Sequence, residues 1–414
     1  MSETSTRSAA SYDVAAVRAH FPSLGDGGAA HFDGPGGTQT PDVVARAVHD
    51  TLLSPLANRG SATPAERNAD AAVVGARSAL GDLLGADPGG IVFGRSMTQL
   101  TLDLARTLAK GWGPGDEVVV TRLDHDANVR TWVLAAEAVG ATIRFADFDP
   151  ETGELAPSQV ERVITPATRL VAVTGASNLI GTMPDLTAIA EVVHAAGALF
   201  FVDAVHLAAH VAIDMATWGA DFVVCSPYKF LGPHCGALAG RPEILERLDP
   251  DKLLPSLDVV PEKFELGTLP YELMAGTTAA VDFLADLAPG PAADGGSRRE
   301  RILASMAALV QHEDRLRVRI EEELASFPGV TLYSRAARRT PTLLATFEGH
   351  DLQQIRHFLA ERGVNAPAGS FYAYEASRRL GLGATGGLRV GLAPYSDDDD
   401  VDRLLAGLAA FFSR

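Results

Sequence analysis

The stretch Leu199–Gly236, LFFVDAVHLAAHVAIDMATWGADFVVCSPYKFLGPHCG, decides how the chain is read. Leu199 to Val202 is a short apolar run that closes on Asp203, the pattern of a buried strand with a carboxylate at its C-terminal end. In open α/β sheets, ligands gather outside those strand ends. His206 follows three residues later. A second run, Asp221 to Cys225, leads into Ser226, Pro227, Tyr228 and Lys229. The lysine therefore stands just past a strand end, in a turn punctuated by Pro227, Gly232 and Pro233. The plain structural alternatives are that Asp203 caps a helix and that Lys229 is a solvated loop lysine.

The rest of the composition sets bounds. A chain of 414 residues has material for two domains and an ample core. It is 47% hydrophobic and 21% charged, as in ordinary globular proteins. A net charge of -17 argues against nucleic acid and against anionic membrane surfaces as partners. Only Cys225 and Cys235 carry thiols, so a disulfide framework is not expected and a reducing compartment fits. The polar start MSETSTRSAASYD lacks the apolar segment of a signal peptide. No apolar run approaches the ~20 residues needed to span a bilayer. The expectation is a soluble cytoplasmic protein.

Working upstream, short apolar strands alternate with helices from residue 90 to about 240, which predicts an α/β fold with a doubly wound, mostly parallel sheet. Ile91–Phe93 reads as a strand, followed by Gly94, Arg95, Ser96, Met97 and Thr98 and a helix over Gln99–Ala109. Exposed amides and hydroxyls at a helix N-terminus make an anion site, although Ser96 and Thr98 would also serve as simple N-caps. After the strand ending at Thr121 comes LDHDANVRTW, with His125 at another strand end. Asn178, in ASNLIGTMPDL, fits either a turn or a ligand contact. The glycine-rich HFDGPGGTQTP at 31–41 lacks the spacing of a dinucleotide cradle. Arg59, in the loop of ANRGSATPAERNAD, reads first as surface polarity, and the helix after it is expected over Asn68–Leu84.

Downstream, the glycine- and proline-rich APGPAADGGSRR at 288–299 marks a boundary. Beyond it a long helix over Glu300–Phe327 precedes a strand, helix, strand, helix pattern. The expected organisation is an arm and short helix over 1–30, a large domain over 31–287 and a small α/β domain over 288–414. Asp397–Asp400 suits a helix N-terminus, and no metal site is expected.

A strand-end aspartate followed by a strand-end lysine is what a pyridoxal 5'-phosphate (PLP) enzyme requires. The quoted stretch, the turn at 94–98, LDHDANVRTW, ASNLIG, FELGTLPYELMAG at 264–276 and GGLRVGLAPYS at 386–396 together resemble class V aminotransferase-fold PLP enzymes, covering most of the chain. The resemblance is strongest to the cysteine desulfurase-like group and includes isopenicillin N epimerase-like proteins. It implies PLP fold type I. It implies that Lys229 forms the Schiff base, that Asp203 keeps the pyridine nitrogen protonated and that His125 stacks on the ring. Ser96, Met97, Thr98 and Ser226 would grip the phosphate, His206 would meet the phenolic oxygen, and Asn178 would touch cofactor or substrate. Arg389, whose guanidinium suits a carboxylate bidentately, would bind the substrate α-carboxylate, with Arg59 a further substrate contact. Thr268, beside Gly267, would reach the neighbouring subunit's phosphate, so a homodimer with composite active sites is implied.

One departure bears on the reaction. Cysteine desulfurases carry a nucleophilic cysteine on a small-domain loop, and the corresponding ERGVNAPAGSFYAYEASRR contains none. The first expectation is therefore a lyase that cleaves a C–S or similar β bond of an amino acid without a persulfide. An aminotransferase or epimerase on the same scaffold is the alternative, and a non-catalytic PLP-fold protein ranks third.

Overall fold

A computed structural model describes residues 12–25, 27–288 and 296–414. The expected N-terminal arm, up to residue 11, and the boundary segment 289–295 lie outside the described residues. In chain order the large sheet uses β1 (Ile91–Gly94), β2 (Glu117–Thr121), β3 (Thr142–Ala146), β4 (Thr168–Thr174), β5 (Leu199–Asp203), β6 (Phe222–Cys225) and β7 (Gly236–Gly240). Their spatial order is β1-β7-β6-β5-β4-β2-β3. All run parallel except β7, which lies antiparallel between β1 and β6. This is the α/β, mostly parallel sheet that the alternating pattern predicted.

The strand after the lysine was not predicted. Its sequence, GALAG, has no β-branched or aromatic residue, so propensity gave no signal. Its small residues serve a close approach instead. A Cβ on Gly236 would stand 2.2 Å from the Ser96 carbonyl carbon and 2.3 Å from the Met97 nitrogen.

Alternate residues of each strand enter two separate cores, as a sheet covered on both faces requires. Phe200, Val202 and Val223 pack with α2 (Pro64–Leu84), α5 (Leu186–Ala195) and α6 (Tyr271–Ala285), the last of which also lies against α1 (Asp42–Leu53). Phe201, Phe222 and Val224 pack with α3 (Met97–Ala109) and α4 (Arg130–Val139). Helix α2 starts at Pro64, earlier than the Asn68 expected from sequence. Thr63 and Glu66 form a reciprocal capping box there, with proline at the first helical position.

The long α7 (Arg298–Ser326) leads to a second sheet, built from β8 (Val330–Leu332), β9 (Thr342–Phe347), β10 (Ala368–Gly369) and β11 (Gly387–Gly391). Its order is β10-β11-β9-β8, all antiparallel. With α8 (Leu352–Ala360) and α10 (Asp398–Phe412) it encloses a third core, and α9 (Tyr374–Arg379) lies between β10 and β11 in the chain. The segment 30–32 joins this core. Ala30 and His31 pair in parallel with Val364 and Asn365, and Phe32 is fully buried among its apolar residues.

Candidate active site

The strand ends of the large sheet and Arg389, in the middle of β11, converge on one cavity of about 740 Å³. Its lining includes Ser96, Met97, Thr98, His125, Asn178, Asp203, His206, Ser226, Lys229 and Arg389. Two residues singled out in the sequence lie elsewhere. The Arg59 guanidinium binds Asp70 and Glu262, each at 2.9 Å, and Glu262 is shared with Arg77. Thr268 is exposed and does not line the cavity of its own chain.

The floor is formed by groups at strand ends. Asp203 terminates β5, is 4% exposed and accepts the Val205 N–H at 2.9 Å. Burial raises its pKa to about 6, against the Val205 bond and the Lys229 charge, which favour the carboxylate. Lys229 sits in the turn after β6 and donates to the Pro35 carbonyl. Burial lowers its pKa to about 7, assisted by the Arg389 charge and opposed by Asp203. The glycine-rich crossing holds this turn: Thr38 N–H donates to the Tyr228 carbonyl at 3.1 Å, and the Leu231 N–H donates to Thr38 Oγ1 at 2.9 Å.

His125 caps a short turn, its Nδ1 accepting the Ala127 N–H at 3.0 Å. Burial, then the Lys229 and Arg389 charges, lower its pKa to about 4, so the ring is neutral near pH 7. A flat, uncharged ring suits stacking better than proton transfer. Sequence reasoning passed over its neighbour Asp124. Fully buried, Asp124 accepts from Thr121 Oγ1 and, at 2.6 Å, from Asn128 Nδ2, while Trp132 Nε1 donates to Asn128 Oδ1 at 3.0 Å. Burial and then the Asp203 charge push its carboxyl up to about 8. The polar letters of LDHDAN were the available signal, and the register that turns Asp124 inward was not.

The roof comes from distant segments. Arg389, on β11, is 2% exposed and donates through Nη1 to the Asn178 carbonyl at 2.9 Å. Its guanidinium lies 3.7 Å from the centre of the Phe371 ring. Burial lowers its pKa to about 9. Asn178 Nδ2 donates to the Phe371 carbonyl at 2.8 Å. The Arg389 Nε and Asn178 Oδ1 are buried without a hydrogen-bond partner among the described residues. His206 Nε2 faces the Thr340 and Thr342 hydroxyls, at 3.0 and 2.9 Å. Tyr228 stacks on His234 with centroids 4.7 Å apart.

Neither thiol faces these groups as a nucleophile. Cys225 is fully buried in β6 and Cys235 is 2% exposed. Burial pushes the Cys225 thiol far up and the Cys235 thiol to about 11. Among the described residues no group of three or more His, Cys, Asp or Glu side chains is placed to hold a metal ion, and no helix is long and apolar enough to cross a membrane.

The residues present fit PLP. A lysine with a lowered pKa faces a buried carboxylate, a neutral ring stands beside them, and the cavity reaches the N-terminus of α3. Ser96 caps that helix by accepting the Gln99 N–H at 3.2 Å, which leaves first-turn amides for an anion. The bare Gly236 backbone keeps the strand tight against that turn. Two orphaned polar atoms in the roof await a further ligand. Fold and cavity together define a PLP-dependent enzyme of fold type I.

The family follows from comparison. The model of the aminotransferase class-V family matches residues 30–404, and the chain belongs to that family. An uncharacterized protein of Mycobacterium tuberculosis (strain CDC 1551 / Oshkosh) is 36% identical, over 96% of this chain and 99% of its own. A probable cysteine desulfurase of Pseudomonas aeruginosa is 30% identical, over 94% and 96%. Among solved structures, the crystal structure of the cysteine desulfurase CsdA (S-sulfonic acid) from Escherichia coli superposes with a TM-score of 0.83. It is 28% identical and covers 96% of this chain and 98% of that one. The protein is thus a class V, cysteine desulfurase-like PLP enzyme.

Proposed function

We propose that the enzyme is a lyase that cleaves the Cβ–S bond of a cysteine-like or S-substituted amino acid without a persulfide on the protein. The observation that carries this reading is the segment Ser370–Tyr374. It belongs to the region 361–379, where the desulfurase-like pattern carries a cysteine and this chain has none, and it lines the cavity with Phe371 and Tyr372. The buried, poorly ionised Cys225 and Cys235 support it further.

When bound, PLP would act as an electron sink for charge developing at the substrate α-carbon. It would be held by Lys229, Asp203, His125 and the α3 N-terminus. Arg389 holds the substrate carboxylate, and the free Asn178 Oδ1 accepts a hydrogen bond. Lys229 takes the α-proton as general base, an assignment its pKa near 7 suits. The Cβ–S bond then breaks with both electrons on sulfur, which leaves as a thiol after protonation. Water converts the remaining three-carbon fragment to pyruvate and ammonia.

The test is to incubate the holoenzyme with S-methyl-L-cysteine and assay for methanethiol and pyruvate. Equal amounts of both support the reading. Alanine with sulfur retained on protein would overturn it, and loss of substrate chirality alone would favour the epimerase.

The same reading includes a homodimer with composite sites in a cytoplasmic setting, and a division into the large and small domains given above. Leu253, Leu254, Leu257, Val259 and Leu266 are exposed around the loop that carries Thr268, which supports a second copy seated there. Sedimentation of Leu254→Glu should show a monomer with weakened cofactor binding; an unchanged dimer would remove that part of the proposal.

A further inference from the structure

Ser370–Tyr374 is a built feature with a shape of its own. Phe371 and Tyr372 have φ of 53° and 58°, so two successive bulky residues occupy the left-handed region. That conformation is costly for side chains with a Cβ and persists only where the surroundings impose it. Here they do. The Phe371 carbonyl is bound by Asn178 and the Tyr372 carbonyl by the Asp126 N–H at 2.8 Å. At the base of the loop, a Cβ on Gly386 would stand 1.9 Å from the Gly369 carbonyl oxygen, so only glycine lets these two strands close. Beyond the loop, Glu375 is anchored to Arg122.

This backbone aims three rings at the cavity mouth. Phe371 lies over Arg389, and Tyr372 stacks on His125 with centroids 5.5 Å apart and planes 27° from parallel. Tyr374, with Ser370, Asp126 and Arg130, joins them around an outer hollow of about 560 Å³ that shares four of its lining residues with the inner cavity. Tyr372 and Tyr374 are 75% and 42% exposed, large rings left open to solvent at the entrance. Arg130 and Asp126 face each other at 3.6 Å, so their opposite charges offset one another, and Arg378 is engaged with Tyr374, donating to its hydroxyl at 2.8 Å. Leu102, Leu134 and Thr131 also line the inner cavity.

We propose that Ser370–Tyr374 is a rigid aromatic clamp that selects an amino acid carrying a planar, uncharged group on its side chain. This rests on the reading above, in which the substrate carboxylate lies on Arg389. A side chain extending from that anchor passes the Phe371 ring and reaches the Tyr372 and Tyr374 faces. Planar groups gain from stacking beyond their burial, and non-planar groups of similar size do not. On this view the thiol released is an aromatic one, and free cysteine is a poor occupant.

Calorimetric titration of the holoenzyme with L-phenylalanine and L-leucine tests this, because neither has a leaving group at Cβ and binding is separated from elimination. L-Phenylalanine should bind on the order of tenfold more tightly than L-leucine. Tyr372→Leu and Tyr374→Leu should each shrink that ratio, since leucine keeps apolar area and removes the ring. The second variant stands at an exposed helix start and keeps the test valid if the first disturbs the loop. Equal binding of the two amino acids, or a ratio that survives both substitutions, overturns the clamp and leaves the catalytic reading intact. Failure of both to bind overturns the two together.

Discussion

The floor and the roof of the cavity are built differently. Floor groups stand at strand ends of the mostly parallel sheet, and apart from Lys229, which reaches the Pro35 carbonyl, they are tied to neighbours close in sequence. Asp203 bonds Val205, His125 bonds Ala127, and Asp124 bonds Thr121 and Asn128. Roof groups meet across the chain: Asn178 with Phe371, Arg389 with Asn178, His206 with Thr340 and Thr342. The roof also holds the unpartnered Asn178 Oδ1 and Arg389 Nε and the two strained residues. The difference matches residence time. A permanently held cofactor can rest on a self-supporting sheet edge. A ligand that comes and goes leaves polar atoms unpaired each time it departs.

The largest expected effect tests the floor. Lys229→Ala removes the only lysine among the described residues that lines the cavity, and with it the base assigned to the α-carbon. Turnover should fall on the order of 10²- to 10⁴-fold or more. Borohydride should no longer fix the cofactor to the protein by mass spectrometry. The fold should persist, because among the described residues the Lys229 amine bonds only the Pro35 carbonyl. Activity within tenfold of the parent would break the division of roles.

Arg389→Lys sharpens the roof. It keeps a cation and loses the planar fork that fits a carboxylate. The expected result is a KM raised about 10- to 100-fold with a smaller change in kcat, the mark of lost substrate binding. A kcat loss with unchanged KM would move Arg389 from the substrate to the chemistry.

A pH experiment couples the two regions. Lys229 has a pKa lowered to about 7, mainly by burial and then by Arg389. Its neutral, reactive fraction therefore grows as pH rises through 7, well below the range of an exposed lysine. In the cofactor-free protein, acetylation of Lys229 followed by mass spectrometry should be half-maximal near pH 7. Arg389→Gln should move that midpoint upward, since it removes a cation that disfavours protonation. A midpoint near 10 would show that the floor does not desolvate the lysine.

The sequence carried the floor better than the roof for a physical reason. A strand-end residue is legible because an apolar run and a turn mark its place within about ten residues, as with Asp203 and Lys229. The α/β class followed from the same alternation. Contacts such as Thr340 and Thr342 on His206 join segments 134 and 136 residues apart, and no local pattern encodes them. Strand β7 escaped because its glycines and alanines answer a packing demand from Ser96, and propensity scales do not record such demands. Arg59 stood out as a polar loop residue, and its partners Asp70 and Glu262 are visible only once the chain is folded. The absence of cysteine over 361–379 was legible, but the left-handed backbone of Phe371 and Tyr372 was not, because neither residue type favours it.

The smallest expected effect comes from a matched pair of asparagines, one in each region. Asn128 is fully buried, and its side chain both donates to Asp124 and accepts from Trp132. Asn128→Ala leaves the buried Trp132 N–H unpaired and Asp124 with one bond fewer, and should cost about 1–3 kcal/mol in urea unfolding. Asn178 gives up one bond to a loop carbonyl, and its Oδ1 has no partner among the described residues to lose. Asn178→Ala should therefore cost less stability, about 0.5–1.5 kcal/mol, while its effect on substrate affinity is the larger of the two. If the two losses of stability were equal, the floor would not be the self-supporting half. If Asn128→Ala weakened substrate binding as much as Asn178→Ala, the regions would be one network, and the strand-end turn that presents His125 would have to move with the ligand.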